Sequence, residues 1–497
     1  MGIVQRQATI TTAVTYIGIA LGFISTVFVY PRVFTPDENG LFKILVSVSL
    51  IYAQFSSFGI QNAIIRIFPH FRNEEKNHHG FILIPFLVTL SGFVICSVIY
   101  FLSKDWLISK NIEKSKLFVD YMFLILPLTF FSAFFSVLDN YARALFDSVS
   151  GALSKEVLQR ILILLVAILY YFEVISVYYA IIGYVAANCF PTVILFATQA
   201  YQGHISFNYD KTIYTKSLIK ETIWVSAFSI VTNFSSNIIS VVDSILINDK
   251  LGLAQTGIYA ITFYVGSSII IPGRAINRIA GPVVLKYFRE QDMEGLKDFY
   301  KKSSSTQILL GLILFLGIWV NIDDLLMFFP EEYKAGKYVI LFIGLGNLLD
   351  MSTGVNAQII YASKFFKVDA FFMFVLVLST IGFNYWLIPE YGIVGSAIAS
   401  CLSLGVLNFM RVGVIKWQLG FMPFSLNFFK IIIIAGIIYT SIAYIPVSSN
   451  YVLNIFVKGS LVVLAWVGAI WRFNISEDMK KMMMGIMNKT PLKKFNS

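Results

Sequence analysis

Apolar runs of about twenty residues, parted by short polar connections, recur from one end of the chain to the other. They fall at roughly 10–30, 41–64, 80–102, 118–142, 157–172, 177–199, 220–247, 256–276, 304–321, 336–360, 368–388, 393–416, 428–446 and 452–471. A helix needs about 20 apolar residues to cross a bilayer core, so this pattern predicts an all-α polytopic membrane protein with about 14 transmembrane helices. The connections are brief, which makes neighbouring helices antiparallel, and no soluble domain is inserted. The fifth run is short and fits a tilted or extended span. The first run is too long for a signal-peptide core and lacks a small-residue cleavage site, so it reads as an uncleaved span.

Departures from the pattern are more informative. In Asn384–Ser400, NYWLIPEYGIVGSAIAS, one apolar segment ends in Pro389 to Gly392 and another begins at once. Gly395, Ala399 and Ser403 then recur every four residues, a stripe of small side chains on which backbones approach closely. The stretch predicts a tight helix hairpin. The polar segment 285–304 has apolar residues at helical spacing and reads as a solvated connecting helix on the cytoplasmic face.

The seventh run carries Ser229, Asn233, Ser236, Ser240 and Asp243 on one helix face. Lipid does not tolerate such a face, so it lines either an interhelical hydrogen-bond seam or a water-filled path. Thr11, Thr15, Gly18, Gly22 and Ser25 in the first run, and Ser47, Gln54, Ser57 and Gln61 in the second, form similar stripes. Runs one, two, seven and eight are therefore the candidate lining of a cleft.

Composition agrees with a membrane protein. The 497 residues are 57% hydrophobic and 13% charged, with mean hydropathy +0.75; soluble domains carry roughly 25% charged residues. With the N-terminus placed in the cytoplasm, roughly 28 of the 38 Lys and Arg fall on the cytoplasmic side. The net charge of +10 is thus a topology signal, not a nucleic-acid footprint, and both termini are expected inside. Cys96, Cys189 and Cys401 lie in apolar runs and read as buried thiols. The four histidines lie in polar connections, with His78 and His79 read as a solvated pair. No nucleotide-binding, metal-ligand or nucleophile motif occurs, so neither a catalytic residue, a metal nor a cofactor is expected.

An offset of 217 residues pairs Gly40 with Gly257, Phe71-Arg72 with Phe288-Arg289, and Glu173 with Glu390. Runs one to six then correspond to runs seven to twelve. The expected organisation is a six-helix bundle over 1–217, a second over 218–418, and two further helices with a basic tail over 419–497. Two copies in one orientation leave a cleft between them.

Charge within or beside a span is seldom kept without reason, since an Arg at the bilayer centre costs about 2.5–3.5 kcal/mol. Arg32 follows the first run, and Asp139 and Arg143 can pair at i, i+4. Asp243 lies near the outer end of run seven, and Arg274 with Arg278 closes run eight. Asp350 sits in mid-run ten with Asn347 and Asn356 nearby. The candidate substrate-binding residues are Arg32, Asp139, Arg143, Asn233, Ser236, Asn237, Asp243, Arg274, Asp350 and Asn356.

Four stretches carry a family resemblance. YPRVFTPDENGLFK (30–43) with FGIQNAIIRIFPHF (58–71) looks like the family's opening spans. GIYAITFYVGSSIIIPGRAINRIAGPVVLKYF (257–288) resembles the start of its second half. FFPEEYKAGKYVILFIGLGNLLDMSTGVNAQIIYASKF (328–365) and LIPEYGIVGSAIAS (387–400) are similar to later elements. The chain resembles the Wzx-like polysaccharide flippases of the multidrug/oligosaccharidyl-lipid/polysaccharide exporter (MOP) superfamily. The resemblance implies a V-shaped, two-bundle, MATE-like transporter of fourteen helices in a bacterial inner membrane, working by alternating access. It implies a polyprenyl-diphosphate-linked oligosaccharide as cargo, such as an O-antigen or capsular repeat unit, membrane lipids and a polysaccharide-synthesis complex as partners, and a monomer. The cationic cavity lining of the family falls to Arg32, Arg143 and Arg274. The rivals are a cation-coupled multidrug exporter of the same superfamily, a membrane-embedded polysaccharide polymerase or ligase, and a scaffold or channel.

Overall fold

The computed structural model describes residues 3–208, 215–445 and 450–473, with the side chains at 3–5, 8, 228, 231–240 and 366 outside the described set. Every regular element among the described residues is a helix. Eight helices are long and apolar enough to cross a membrane, or ten if each of two bent pairs is one span. Fourteen runs become eight to ten by this measure for three physical reasons, and because run seven, in Lys216–Leu251, lies partly outside the described side chains. Leu426–Ile442 has only 17 residues. The fifth run is divided into short α-helical and π-helical pieces over 149–171. Runs eleven and twelve merge into the single stretch Phe366–Leu419.

That stretch is a hairpin. Gly392 leaves the helix with φ 58° and ψ −139°, a backbone state open to glycine. Ser396 Oγ then donates to Asn384 Oδ1 at 2.6 Å, although twelve residues of straight helix would span about 18 Å. A Cβ on Gly395 would sit 2.1 Å from the Leu387 carbonyl oxygen, so the small stripe does bring the two arms together. Pro389 lies inside the first arm, and the reversal rests on Gly392 alone. At the open end Arg411, 5% exposed, forms a two-pronged bond with Asp369 at 2.9 and 3.2 Å.

The chain divides into two compact units, one up to Tyr264 and one from Val265. In the first, the sequence TPDE starts the helix Pro36–Ser56: Thr35 accepts from the Glu38 amide at 3.3 Å, and Glu38 accepts from the Thr35 amide at 2.8 Å. The helix bends by 52° before Ile60–His70, where Phe58 and Gly59 both have positive φ. Its core gathers Phe34, Leu41, Leu45, Tyr100, Ile125 and Ile181. Gly40 and Gly257, the pair matched by the 217-residue offset, pack against each other reciprocally. A Cβ on Gly40 would lie 2.0 Å from the Leu253 carbonyl oxygen, and one on Gly257 1.9 Å from that of Pro36.

In the second unit Trp466, Val462 and Ile470 of Tyr451–Phe473 pack with Ile431 and Ile438 of Leu426–Ile442 and with Leu309 and Leu316 of Met293–Trp319. Glu331–Ser352 bends by 47° into Asn356–Ala362. The polar segment 285–304 is not a separate surface helix. Ile271–Glu290 and Met293–Trp319 simply run through it, and the chain reverses at Gln291, φ 56°, before the Asp292 cap. Leu296 and Tyr300 are fully buried, which explains the helical spacing.

The Gly40–Gly257 contact leaves no room for a side chain. Gly257→Val is expected to lower the thermal unfolding midpoint of detergent-purified protein, since overpacking costs about 1–3 kcal/mol or more. Gly413→Ala, where a Cβ meets nothing within 4 Å, should leave it unchanged or raise it.

Candidate functional site

In the first unit the expected pair forms: Arg143 Nη2 lies 2.6 Å from Asp139 Oδ2. Helical spacing of four brings them together, and Asp139 is 8% exposed. Gly151 is what admits the carboxylate, because a Cβ there would stand 1.9 Å from Asp139 Oδ1. Lys155, one turn on, acts electrostatically on Asp139, and its Nζ lies 4.8 Å from the centre of the Phe135 ring. Two cations, Arg143 and Lys155, and a second carboxylate, Asp147, thus lie within electrostatic reach of Asp139.

A second charged pair follows on the same stretch. Arg160 Nη2 lies 2.7 Å from Glu156 Oε2, and Arg160 Nη1 donates to the Gly18 carbonyl. A Cβ on Gly22 would fall 1.6 Å from Arg160 Nη1, so the first helix is bare where the guanidinium lodges. The stripe Thr11–Ser25 is therefore a packing seam against 148–160: Thr11 Oγ1 also meets Ser148 Oγ at 2.8 Å. On the second helix, Gln61 donates to Gln54 across the bend at 3.3 Å, and Ser57 to the Gln54 carbonyl at 3.0 Å.

Asp243 is fully buried, accepts from the Tyr259 hydroxyl, and interacts with the Lys43 ammonium. Arg32 is exposed in the last turn before Phe34. The side chains of Asn233, Ser236 and Asn237 lie outside the described residues. His78 is not solvated: it is 3% exposed, and its Nδ1 accepts from the Asn73 amide at 3.3 Å.

In the second unit Asp350 and Asn356 belong to one network around Asn408. Asn408 Nδ2 donates to Asp350 Oδ1 at 2.9 Å, while Asn408 Oδ1 accepts from Thr353 Oγ1 and Asn356 Nδ2, each at 2.8 Å. The network occupies the bend at 353–355, where Gly354 has φ 62°. Asn347 stands apart and donates to the Gly266 carbonyl at 3.2 Å. Arg274 is exposed and lies inside the long helix Leu253–Glu290, not at its end.

Sequence reasoning missed Lys155, Glu156, Arg160, Lys43 and Asn408. Glu156 and Arg160 carried a signal in their i, i+4 spacing, and Asn408 in its apolar surroundings, LSLGVLNFM.

A family model described as polysaccharide biosynthesis protein matches residues 4–276, more than half of the chain. A probable low-salt glycan biosynthesis flippase of Haloferax volcanii, Agl15, is 22% identical over 182 residues, which are 36% of this chain; the match spans only 39% of that relative's length. Among solved structures, the lipid II flippase MurJ in an inward closed conformation aligns with TM-score 0.73 at 15% identity, over 94% of this chain and 99% of that one. An inward-facing multidrug resistance MATE family transporter of the MOP superfamily aligns with TM-score 0.63 at 14% identity, over 83% of this chain and 98% of that one. At such identities these structures establish the fold: a multi-pass, all-helical membrane protein of the MurJ and MATE kind.

Removal of the Asn408 amide tests the bend network. Asn408→Leu strands groups on Asp350, Thr353 and Asn356, at about 1–3 kcal/mol for each buried group left unpaired. The expected outcome is a lower thermal midpoint, with the Asn408→Leu, Asn356→Leu double variant costing less than the two single changes added together.

Proposed function

We propose that this chain, which belongs to the polysaccharide biosynthesis protein family, moves a polyprenyl-diphosphate-linked oligosaccharide across the cytoplasmic membrane by alternating access. Its family and fold are those of membrane transporters, not of enzymes. Support for the cargo comes from the flippase names of one relative and of one fold match. In this reading the protein is a monomer in a bacterial inner membrane. All fourteen runs cross it, the bundles are 1–217 and 218–418 with 419–497 appended, and both termini are cytoplasmic. An O-antigen or capsular repeat unit is the glycan.

One observation carries the reading: Arg143 and Lys155 are exposed cations beside the buried carboxylate of Asp139, where an anion can reach both. The diphosphate is the costly part of such a cargo to bring through hydrocarbon, and charge-assisted hydrogen bonds compensate it. In the second unit Arg274, exposed within a helix and without an ion pair among the described residues, is a candidate anion contact of its own. The lipid tail stays in the bilayer. With the cell interior negative, two negative charges moving outward gain roughly 4–5 kcal/mol per 100 mV, so membrane potential can drive the step. Asp243 and Asp350 are the acids on which an ion gradient would act instead. Organic-cation export fits less well, because Asp139 and Asp243 each have a cationic neighbour, Arg143 and Lys43.

Binding of undecaprenyl diphosphate to the purified protein, with undecaprenol as the uncharged control, tests this. Arg143→Gln combined with Lys155→Gln should weaken diphosphate binding about tenfold or more, since hydrogen bonds to charged groups contribute about 1.5–3 kcal/mol each, and leave undecaprenol unaffected. Equal diphosphate affinity in wild type and double variant would contradict the assignment.

A further inference from the structure

We infer that the polar cluster around Arg160 is a glycan subsite, which takes an uncharged sugar ring of the cargo and is distinct from the pair of Arg143 and Asp139. The inference rests on the flippase reading. Glu156 pairs with Arg160 at 2.7 Å, so the cluster sets a donor and an acceptor side by side. A diphosphate gains little from a neutral pair, whereas sugar hydroxyls both donate and accept and gain from donors and acceptors side by side.

The cluster has both. A guanidinium has five N–H donors; Arg160 commits two of its groups, Nη1 to the Gly18 carbonyl and Nη2 to Glu156. Gln159 Nε2 donates to Asn188 Oδ1 at 2.6 Å, and Asn188 Nδ2 to the Tyr184 carbonyl at 2.8 Å, which places a pair of amides beside the charged pair. Tyr30 lies within electrostatic reach of Tyr184, Tyr264 and Arg160. Tyr264 Oη and Arg160 Nη1 both crowd the space above Gly22, at 2.8 and 1.6 Å from a Cβ placed there.

These groups come from several helices of one unit, and none is sealed. The Arg160 and Glu156 side chains are 25% and 32% exposed, and Tyr30, Gln159, Tyr184, Asn188 and Tyr264 are half-buried. Tyrosines present a flat apolar face and a hydroxyl together, which matches the alternating apolar and hydroxyl surfaces of a sugar. An ion pair that served packing alone would not need tyrosines and paired amides beside it.

The probes are undecaprenyl diphosphate and undecaprenyl-diphosphate-N-acetylglucosamine, bound to the full-length purified protein. Wild type is expected to hold the glycosylated lipid at least fivefold more tightly. Glu156→Gln with Arg160→Gln removes both charges together, so neither is left uncompensated, and should cut that preference below twofold while affinity for the bare lipid stays within twofold. If the double variant does not fold, Tyr30→Phe decides, with an expected two- to threefold loss of preference. A preference that survives, or one lost only in step with bare-lipid affinity, overturns the subsite. Equal binding of the two lipids by wild type overturns the subsite and leaves the flippase reading standing. Binding of neither lipid overturns both.

Discussion

Hydrocarbon offers no partner to a polar group, and this constraint organises the charged interior of the first unit. An Arg or Asp can sit between helices only where another helix supplies its hydrogen bonds and yields the volume. Two glycines yield it here. Arg160 Nη1 fills the place of a Cβ on Gly22, and Asp139 Oδ1 that of a Cβ on Gly151. Each charged group has an opposite charge four residues away on its own helix, Glu156 for Arg160 and Arg143 for Asp139. The helix supplies the counter-charge and the neighbouring helix supplies the space. The same close approach, without charge, joins Gly40 to Gly257.

Breaks in helical geometry accompany these polar groups. Lys155 and Glu156 lie in the π-helical stretch Leu153–Leu158, and the Asp350–Asn408 network sits on the bend at 353–355. Irregular backbone frees carbonyls and amides that need partners, and in a membrane it persists only where protein or water provides them. Polar side chains and broken helices therefore belong together. A transporter gains from the pairing, because a break is where a span can carry polar contacts without unfolding.

Much of this was legible in the amino-acid pattern. The alternation of apolar runs and short polar links placed the helices, and the small stripe from Gly395 announced the hairpin. Asp139 with Arg143, and Asp350 with Asn356, were found because charge and amides stand out in apolar runs. Lys155 and Arg160 were not, because at the edge of an apolar run a cation is indistinguishable from one reaching to the interface. Only the packing of the first helix against 148–160 shows Arg160 to be held inside. The polar segment 285–304 misled for a related reason: its apolar positions are those of two long helices that continue past the apolar runs. The 17-residue helix and the interrupted fifth run show the limit of counting spans by length.

The central claim is that a polar, partly cationic helical interior carries a glycan headgroup while its lipid stays in the bilayer. Reconstitution into vesicles tests it most directly, with a polyprenyl-diphosphate-linked oligosaccharide loaded in one leaflet and its arrival in the other read by a membrane-impermeant reagent that attacks the sugar. The account predicts protein-dependent transfer, faster than in protein-free vesicles and accelerated by a potential positive on the receiving side. Transfer no faster than in protein-free vesicles, in preparations that instead move an organic cation, would contradict it.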